Sequence, residues 1–259
     1  MAIDMTTVKA ITHDNKSLKN IKDSNGNIIW GSQADYPYRR LEYIYFNGAE
    51  GIDLGFKPAS SGNNGVQILF ASITGPTASN SYGVILGCAG DTTSSGAMRI
   101  LVQSSGSAVG QRVGRNSSSF GYSTTMSSNI RRYRLRTLSN SSTYIDIQNE
   151  DGTAISGTAH TTSASYTINN MPNEQLMRYN ASGSIISNGY SQGNVYQFKQ
   201  HTGDASTTVI KNMFPCQRKS DGVCGLYDVL NSVFYPMQGT TTTSAAAGPV
   251  TDEYWDLTA

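Results

Sequence analysis

The chain has 259 residues, of which only 14 % are charged, and its formal net charge is +1. That length suits one large β domain, or one domain with a small appendage. A nearly neutral chain has no field to steer it to nucleic acid or an anionic membrane, and no apolar run approaches the roughly 18 residues of a membrane span. Ser, Thr, Asn and Gly replace the missing charges, which fits a surface rich in loops and turns. Residues 1–32 read as a small β arm. Val8 to Ile11 and Ser17 to Ile21 are strand-like, Asn25-Gly26 supplies the positive-φ pair of a type I′ turn, and Ile28-Ile29-Trp30 returns. So few strands cannot bury a core alone. Ile21, Ile28 and Trp30 are therefore candidate attachment residues, packing on the main domain, a sister subunit or another protein. The first residues lack a basic stretch followed by an apolar one, so no signal peptide is read.

Residues 31–37 read as a linker, and residues 36–259 as the main domain. Leu41 to Phe46 is strand-like, and Asn47-Gly48 is a turn. Ile52, Leu54 and Phe56 alternate with Asp53, Gly55 and Lys57. The same rhythm recurs at Val66/Ile68/Phe70, Tyr82/Val84/Leu86, Met98/Ile100/Val102, Tyr133/Leu135, Ile145/Ile147, Tyr166/Ile168 and Tyr196/Phe198. Short alternating runs separated by Gly/Ser/Asn clusters predict an all-β antiparallel sandwich. The only helical turn predicted lies near residues 172–176. Three Ser/Thr/Gly-rich stretches, 104–128, 156–165 and 240–248, read as long loops or exposed strands.

There are three cysteines, Cys88, Cys216 and Cys224. An odd count argues against a complete disulfide framework. Cys216 and Cys224 flank one hairpin and could face each other across it, but a chain made in the cytosol is expected to keep them as free thiols, with a bridge as the alternative. No Cys/His pair stands at zinc-ligand spacing.

Two phrases carry a resemblance. One runs from Met213-Phe214-Pro215-Cys216 through the Asp221-Gly222 turn to Gly225-Leu226-Tyr227-Asp228 and Val233-Phe234-Tyr235. The other is Ile52-Asp53-Leu54-Gly55-Phe56-Lys57-Pro58. Together they resemble the concanavalin A-like (LamG-like) jelly-roll domains of bacteriophage and prophage tail and head-fibre proteins. The Asp23-Ser24-Asn25-Gly26-Asn27 hairpin is similar to openings that precede such domains. The resemblance implies a jelly-roll sandwich with a small N-terminal β arm on a virion surface, made in the host cytoplasm without a signal peptide. It implies partnership with other virion proteins, a homotrimer, and binding of host-surface or mucus glycans. A purely structural virion component is the alternative, and a polysaccharide depolymerase a further one. Tyr227 and Phe234 are expected to be largely buried.

Glycan binding makes Tyr122 and Tyr190 candidates, since each lies in a Gly/Ser/Asn-rich loop where a ring can stack on a sugar. Arg132, Arg134 and Arg136 share one strand face. They read either as a guanidinium stripe for carboxylates or anionic sugars, or as a solvated face paired with acids on neighbouring strands. Asp91, Asp146, Asn149, Glu150 and Asp151 are candidate calcium oxygens, although no D-x-D-x-D loop is present and Glu150-Asp151-Gly152 reads more simply as a turn. A retaining glycosidase needs two carboxylates about 5 Å apart. Asp146 has Tyr144 and Gln148 as same-face neighbours, Asp252, Glu253 and Asp256 are terminal, and His13, His160 and His201 are scattered. The expectation is therefore a protein that is not an enzyme and uses no cofactor.

Overall fold

The computed structural model describes residues 12–13, 16–17, 20–22, 28–31, 37–57, 65–76, 82–89, 97–103, 109–113, 120–122, 129–137, 142–155, 160–163, 172–178, 180–181, 184–185, 190–202 and 208–251. The N-terminal segment forms two separate two-stranded pieces. Strands β1 (Thr12–His13) and β2 (Lys16–Ser17) make one, and β3 (Asn20–Lys22) and β4 (Ile28–Gly31) the other. In the second, Ile21 pairs with Trp30 and Lys22 with Ile28, which is the hairpin predicted around Asn25-Gly26.

The remaining strands are β5 (Tyr38–Arg40), β6 (Ile44–Asn47), β7 (Gly51–Asp53), β8 (Gly65–Pro76), β9 (Tyr82–Ala89), β10 (Ala97–Gln103), β11 (Val109–Val113) and β12 (Phe120–Tyr122). They continue with β13 (Arg131–Thr137), β14 (Ser142–Asn149), β15 (His160–Ser163), β16 (Gln175–Leu176), β17 (Asn180–Ala181) and β18 (Ser184–Ile185). The last four are β19 (Ser191–His201), β20 (Val209–Arg218), β21 (Cys224–Asp228) and β22 (Val233–Gln238). One layer runs β15-β14-β13-β8-β19-β20-β21-β22, with β5 on β20 and β6 on β19. The other runs β12-β11-β10-β9-β16-β7-β22. The pairings are antiparallel except β17 with β9. The fold is an all-β antiparallel sandwich. Among the described residues, helix is confined to a 3-10 turn at Ser244–Ala246. The turn expected near residues 172–176 is instead the strand β16, because its backbone is captured between β7 and β9.

Strand β22 belongs to both layers. Gly225↔Pro236 is its final pair with β21, and Met237↔Ile52 the first with β7. Proline has no N–H for a ladder, so Pro236 marks the place where the strand changes partner.

The core between the layers contains Ile44, Phe46, Ile52, Leu54, Leu69, Ala71, Ile73, Tyr133, Leu135, Ile147, Phe198, Met213 and Leu226, with Phe56 and Tyr235 packed against it. The Ile52/Leu54/Phe56 alternation is thus an inward face. In β8 the alternation misleads: Leu69, Ala71 and Ile73 join the central core, and Val66 and Ile68, although buried, do not. A second cluster lies on the far face of β20–β22, where Phe214 and Cys216 pack with Tyr38, Tyr227 and Phe234. Tyr38 stacks 5.0 Å from Phe234 and lies 4.7 Å from Tyr227. Tyr227 and Phe234 are therefore half-buried on that face and not largely buried as expected.

The two hairpin cysteines are free thiols, as expected, but they do not face each other across the hairpin. Gln217 pairs with Cys224 and Cys216 with Gly225, so the two cysteines occupy adjacent rungs and point to opposite faces. Cys224 joins the central core and Cys216 the outer cluster. All three thiols are free and buried.

Candidate active site

Strand register sets a polar row across the inner face of the first layer. Leu135 on β13 opposes Gln67 on β8. Gln67 opposes Gln200 on β19, and Gln200 opposes Lys211 on β20. Residues directly opposite in a ladder share a face, so three polar side chains continue the apolar core toward one end of the sandwich.

Above Gln67 sits Glu174. Its backbone is tied to the chain after β7, since Glu174 N–H donates to the Phe56 carbonyl at 2.8 Å and Leu54 N–H donates to the Glu174 carbonyl at 3.0 Å. The Gln67 side-chain amide Nε2 donates to Glu174 Oε2 at 2.8 Å, joining groups 107 positions apart. Glu174 is 0 % exposed and Gln67 2 %. Burial pushes the Glu174 carboxyl up to about 8, and the Gln67 hydrogen bond opposes this only in part. The carboxyl is therefore protonated at neutral pH. Oε1 of Glu174, Oε1 of Gln67 and Oε1 of Gln200 are buried and accept no hydrogen bond.

The segment that carries Glu174 is buried throughout 174–178. Met177 adopts φ 59°, a left-handed conformation costly for a residue with a side chain. It is held by Met177 N–H to Ile85 O at 2.8 Å and Ser191 N–H to Met177 O at 3.0 Å. Arg178 donates to Gln175 Oε1 at 2.7 Å and to Gln238 Oε1 at 2.5 Å. Burial lowers its pKa, with Tyr190 and Asp53 acting the other way. At the half-exposed end of the row, Lys211 Nζ donates to the Tyr235 hydroxyl at 2.6 Å and lies 5.8 Å from the Phe56 ring centre.

The residues singled out from sequence do not converge. Tyr190 is half-buried beside Arg178. Tyr122 ends β12, and its side chain and that of Arg136 lie outside the described residues. Arg132 and Arg134 are on the outer face of β13, opposite Gln148 and Asp146. Arg134 and Asp146 are ion-paired at 3.7 Å. Burial, then the neighbouring Arg134, lowers the pKa of Arg132. The side chains of Ile21, Ile28 and Trp30, and Asp91, Asp252, Glu253 and Asp256, lie outside the described residues. Of the candidate calcium oxygens, Asp151 accepts from Thr153 N at 2.9 Å and Thr153 Oγ1 at 2.8 Å, closing a turn. Among the described residues no cluster of His, Cys, Asp and Glu could hold a metal ion.

Sequence reasoning missed the pair because it looked for two acids on one strand. The pair that forms is an acid and an amide from distant segments. It overturns the expectation that the chain has no candidate catalytic groups. With that expectation goes the reading of the chain as a non-enzymatic, glycan-binding fibre protein of a phage particle.

What the fold and the pair define is an antiparallel β-sandwich with a protonated carboxyl–amide pair in its interior. No family model matches the chain, and no curated protein matches it. Among solved structures, it is similar to the crystal structure of Scytalido-glutamic peptidase with a peptide based transition state analog. The identity is 12 %, over 78 % of this chain and 89 % of that one, with a TM-score of 0.31. A likeness that loose carries no argument about this chain.

Proposed function

We propose that the chain is a hydrolase of amide or acyl bonds, with Glu174 as the proton-transfer group and Gln67 as its partner. One observation carries this reading: a wholly buried carboxyl with a pKa near 8, 2.8 Å from an amide nitrogen, with an unbonded oxygen left on each group. A protonated carboxyl at neutral pH is a general acid in waiting. Glu174 would pass its proton to the scissile carbonyl oxygen as water attacks the carbon, and its carboxylate would take the proton the water loses. Collapse reverses the exchange: Glu174 protonates the leaving nitrogen or oxygen, the C–N or C–O bond breaks, and the carboxylate recovers a proton from the forming acid. Gln67 would hold one carboxyl oxygen and offer its own carbonyl to the water. Glycoside hydrolysis is less well served, because the row around Gln67 supplies Leu135, Gln200 and Lys211 and no second carboxyl.

Both groups are closed off in the structure. The reading therefore requires the Phe56 segment, bonded directly to Glu174, to move aside for substrate. The resembling phrases fit a jelly roll of the LamG-like kind, since the one ending at Tyr235 and the one containing Gly55 are in contact.

The test is incubation of the full chain with a mixed peptide library from pH 5 to 9, with cleavage read by mass spectrometry. Cleavage by the wild type that falls as pH rises through 8 and disappears in Glu174→Gln is expected. Absence of cleavage, or cleavage undiminished in a folded Glu174→Gln variant, overturns the reading.

A further inference from the structure

The other face of the same layer holds a cleft of about 660 Å³, within the range of small-molecule sites. It is separated from the Glu174 pair by the thickness of the sheet. Phe70, Tyr196 and Phe214 bring aromatic rings to it, and Arg40, Glu42 and Glu150 the charges.

A bulge in β19 builds this wall. Val195 pairs with Ala71 and Gln197 with Phe70, leaving Tyr196 as the extra residue. Val195 and Phe198 point into the core, so the bulge places Tyr196 and Gln197 together on the outer side, where both are half-buried. Bulges commonly re-aim a side chain in this way next to a site. The Tyr196 ring is braced by Tyr43, 5.6 Å away between centres.

The electrostatics favour one sign of ligand. Arg40 is 9 % exposed, and its guanidinium carbon lies 4.6 Å from the centre of the Phe214 ring. A ring of the cleft thus already receives a guanidinium. Glu42 and Glu150 are exposed at the mouth, and among the described residues neither carboxylate has an ion-pair or hydrogen-bond partner. The lining thus holds two carboxylates against one guanidinium that is already engaged, beside the aromatic side chains of Phe70 and Tyr196, whose ring faces attract cations.

We propose that this cleft is a binding site for an organic cation, a guanidinium or amine carried on a flat apolar body. The body lies on Phe70 and Tyr196, and the charge faces Glu42 and Glu150. The site is independent of the hydrolytic reading.

The test titrates the full chain with benzamidinium, neutral benzamide and anionic benzoate, following binding by NMR or calorimetry at low and high salt. Benzamidinium is expected to bind about tenfold tighter than benzamide, to bind more weakly in salt, and to outcompete benzoate. Tyr196→Ala, and separately the exposed pair Glu42→Gln/Glu150→Gln, should each weaken it by roughly fivefold. The second variant removes only surface charges, so its loss of binding cannot be ascribed to misfolding. Equal binding of benzamide, preferential binding of benzoate, or undiminished benzamidinium affinity in both variants overturns the proposal.

Discussion

The ring of Tyr235 lies against the backbone of Gly55, so closely that a β-carbon there would sit 2.7 Å from the ring carbon Cε1. Gly55 also adopts φ +69°, and its N–H donates to Asp53 Oδ1 at 2.8 Å. Two requirements thus coincide at one residue: a left-handed backbone and no side chain. Gly55→Ala should cost about 1–3 kcal/mol by adding conformational strain to the clash. Chemical denaturation checks this, and an unchanged midpoint would show that the ring moves away freely.

Glu174 makes stability depend on pH. Burial raises its carboxyl to about 8 in the folded chain, from the ordinary glutamate value of about 4.5. The folded state therefore holds a proton that the unfolded state has released over that interval. The stabilisation is complete below about 4.5 and is lost as pH rises to 8, amounting to a few kcal/mol at most. Glu174→Gln removes the titration while keeping an amide of similar shape. Unfolding free energies from pH 4 to 9 should show the wild type losing stability relative to the variant as pH rises; parallel curves would contradict the assignment.

Asp228 is 0 % exposed and accepts from Asn212 N and Leu230 N, both at 3.1 Å, and from Asn231 Nδ2 at 2.6 Å. It organises the turn between β21 and β22, with Lys211 4.0 Å away. Asp228→Ala leaves buried donors unpaired and should cost about 3 kcal/mol. Thermal melting checks it.

The thiols offer a chemical check on register. Burial raises the pKa of Cys224 to about 11 and pushes that of Cys216 higher still. Neither should react with a thiol reagent at neutral pH in the folded chain, and oxidation should not join them. All three cysteines should titrate after denaturation. A Cys216–Cys224 bridge formed in the native protein would require a register one residue different.

The sandwich was legible where a strand has one polar face. Ile52, Leu54 and Phe56 stand out because Asp53, Gly55 and Lys57 separate them. Strand β8 is apolar on both faces, so alternation selected Val66, Ile68 and Phe70, and Gln67 went unnoticed on the core side. A lone glutamine in so apolar a run was the available signal. Tyr196 and Phe198 appeared as same-face neighbours, but the intervening bulge puts one outside and the other inside. Glu174 was illegible for a different reason. It directly precedes β16, which is two residues long and is held between β7 and β9, so nothing local marks it.

The change of partner at Pro236 bears on how the chain assembles. The closing contacts join β22 to β7, elements near opposite ends of the described domain, and such distant pairings are slow to form. Until they do, β7 and the Met237–Gln238 end of β22 each present an unsatisfied ladder edge, open to another copy of the chain. Refolding yield should therefore fall steeply with protein concentration. The hazard for this sandwich is intermolecular pairing during the search for closure, and dilution or a peptide with the β22 sequence would alter the outcome more than any change to the finished core.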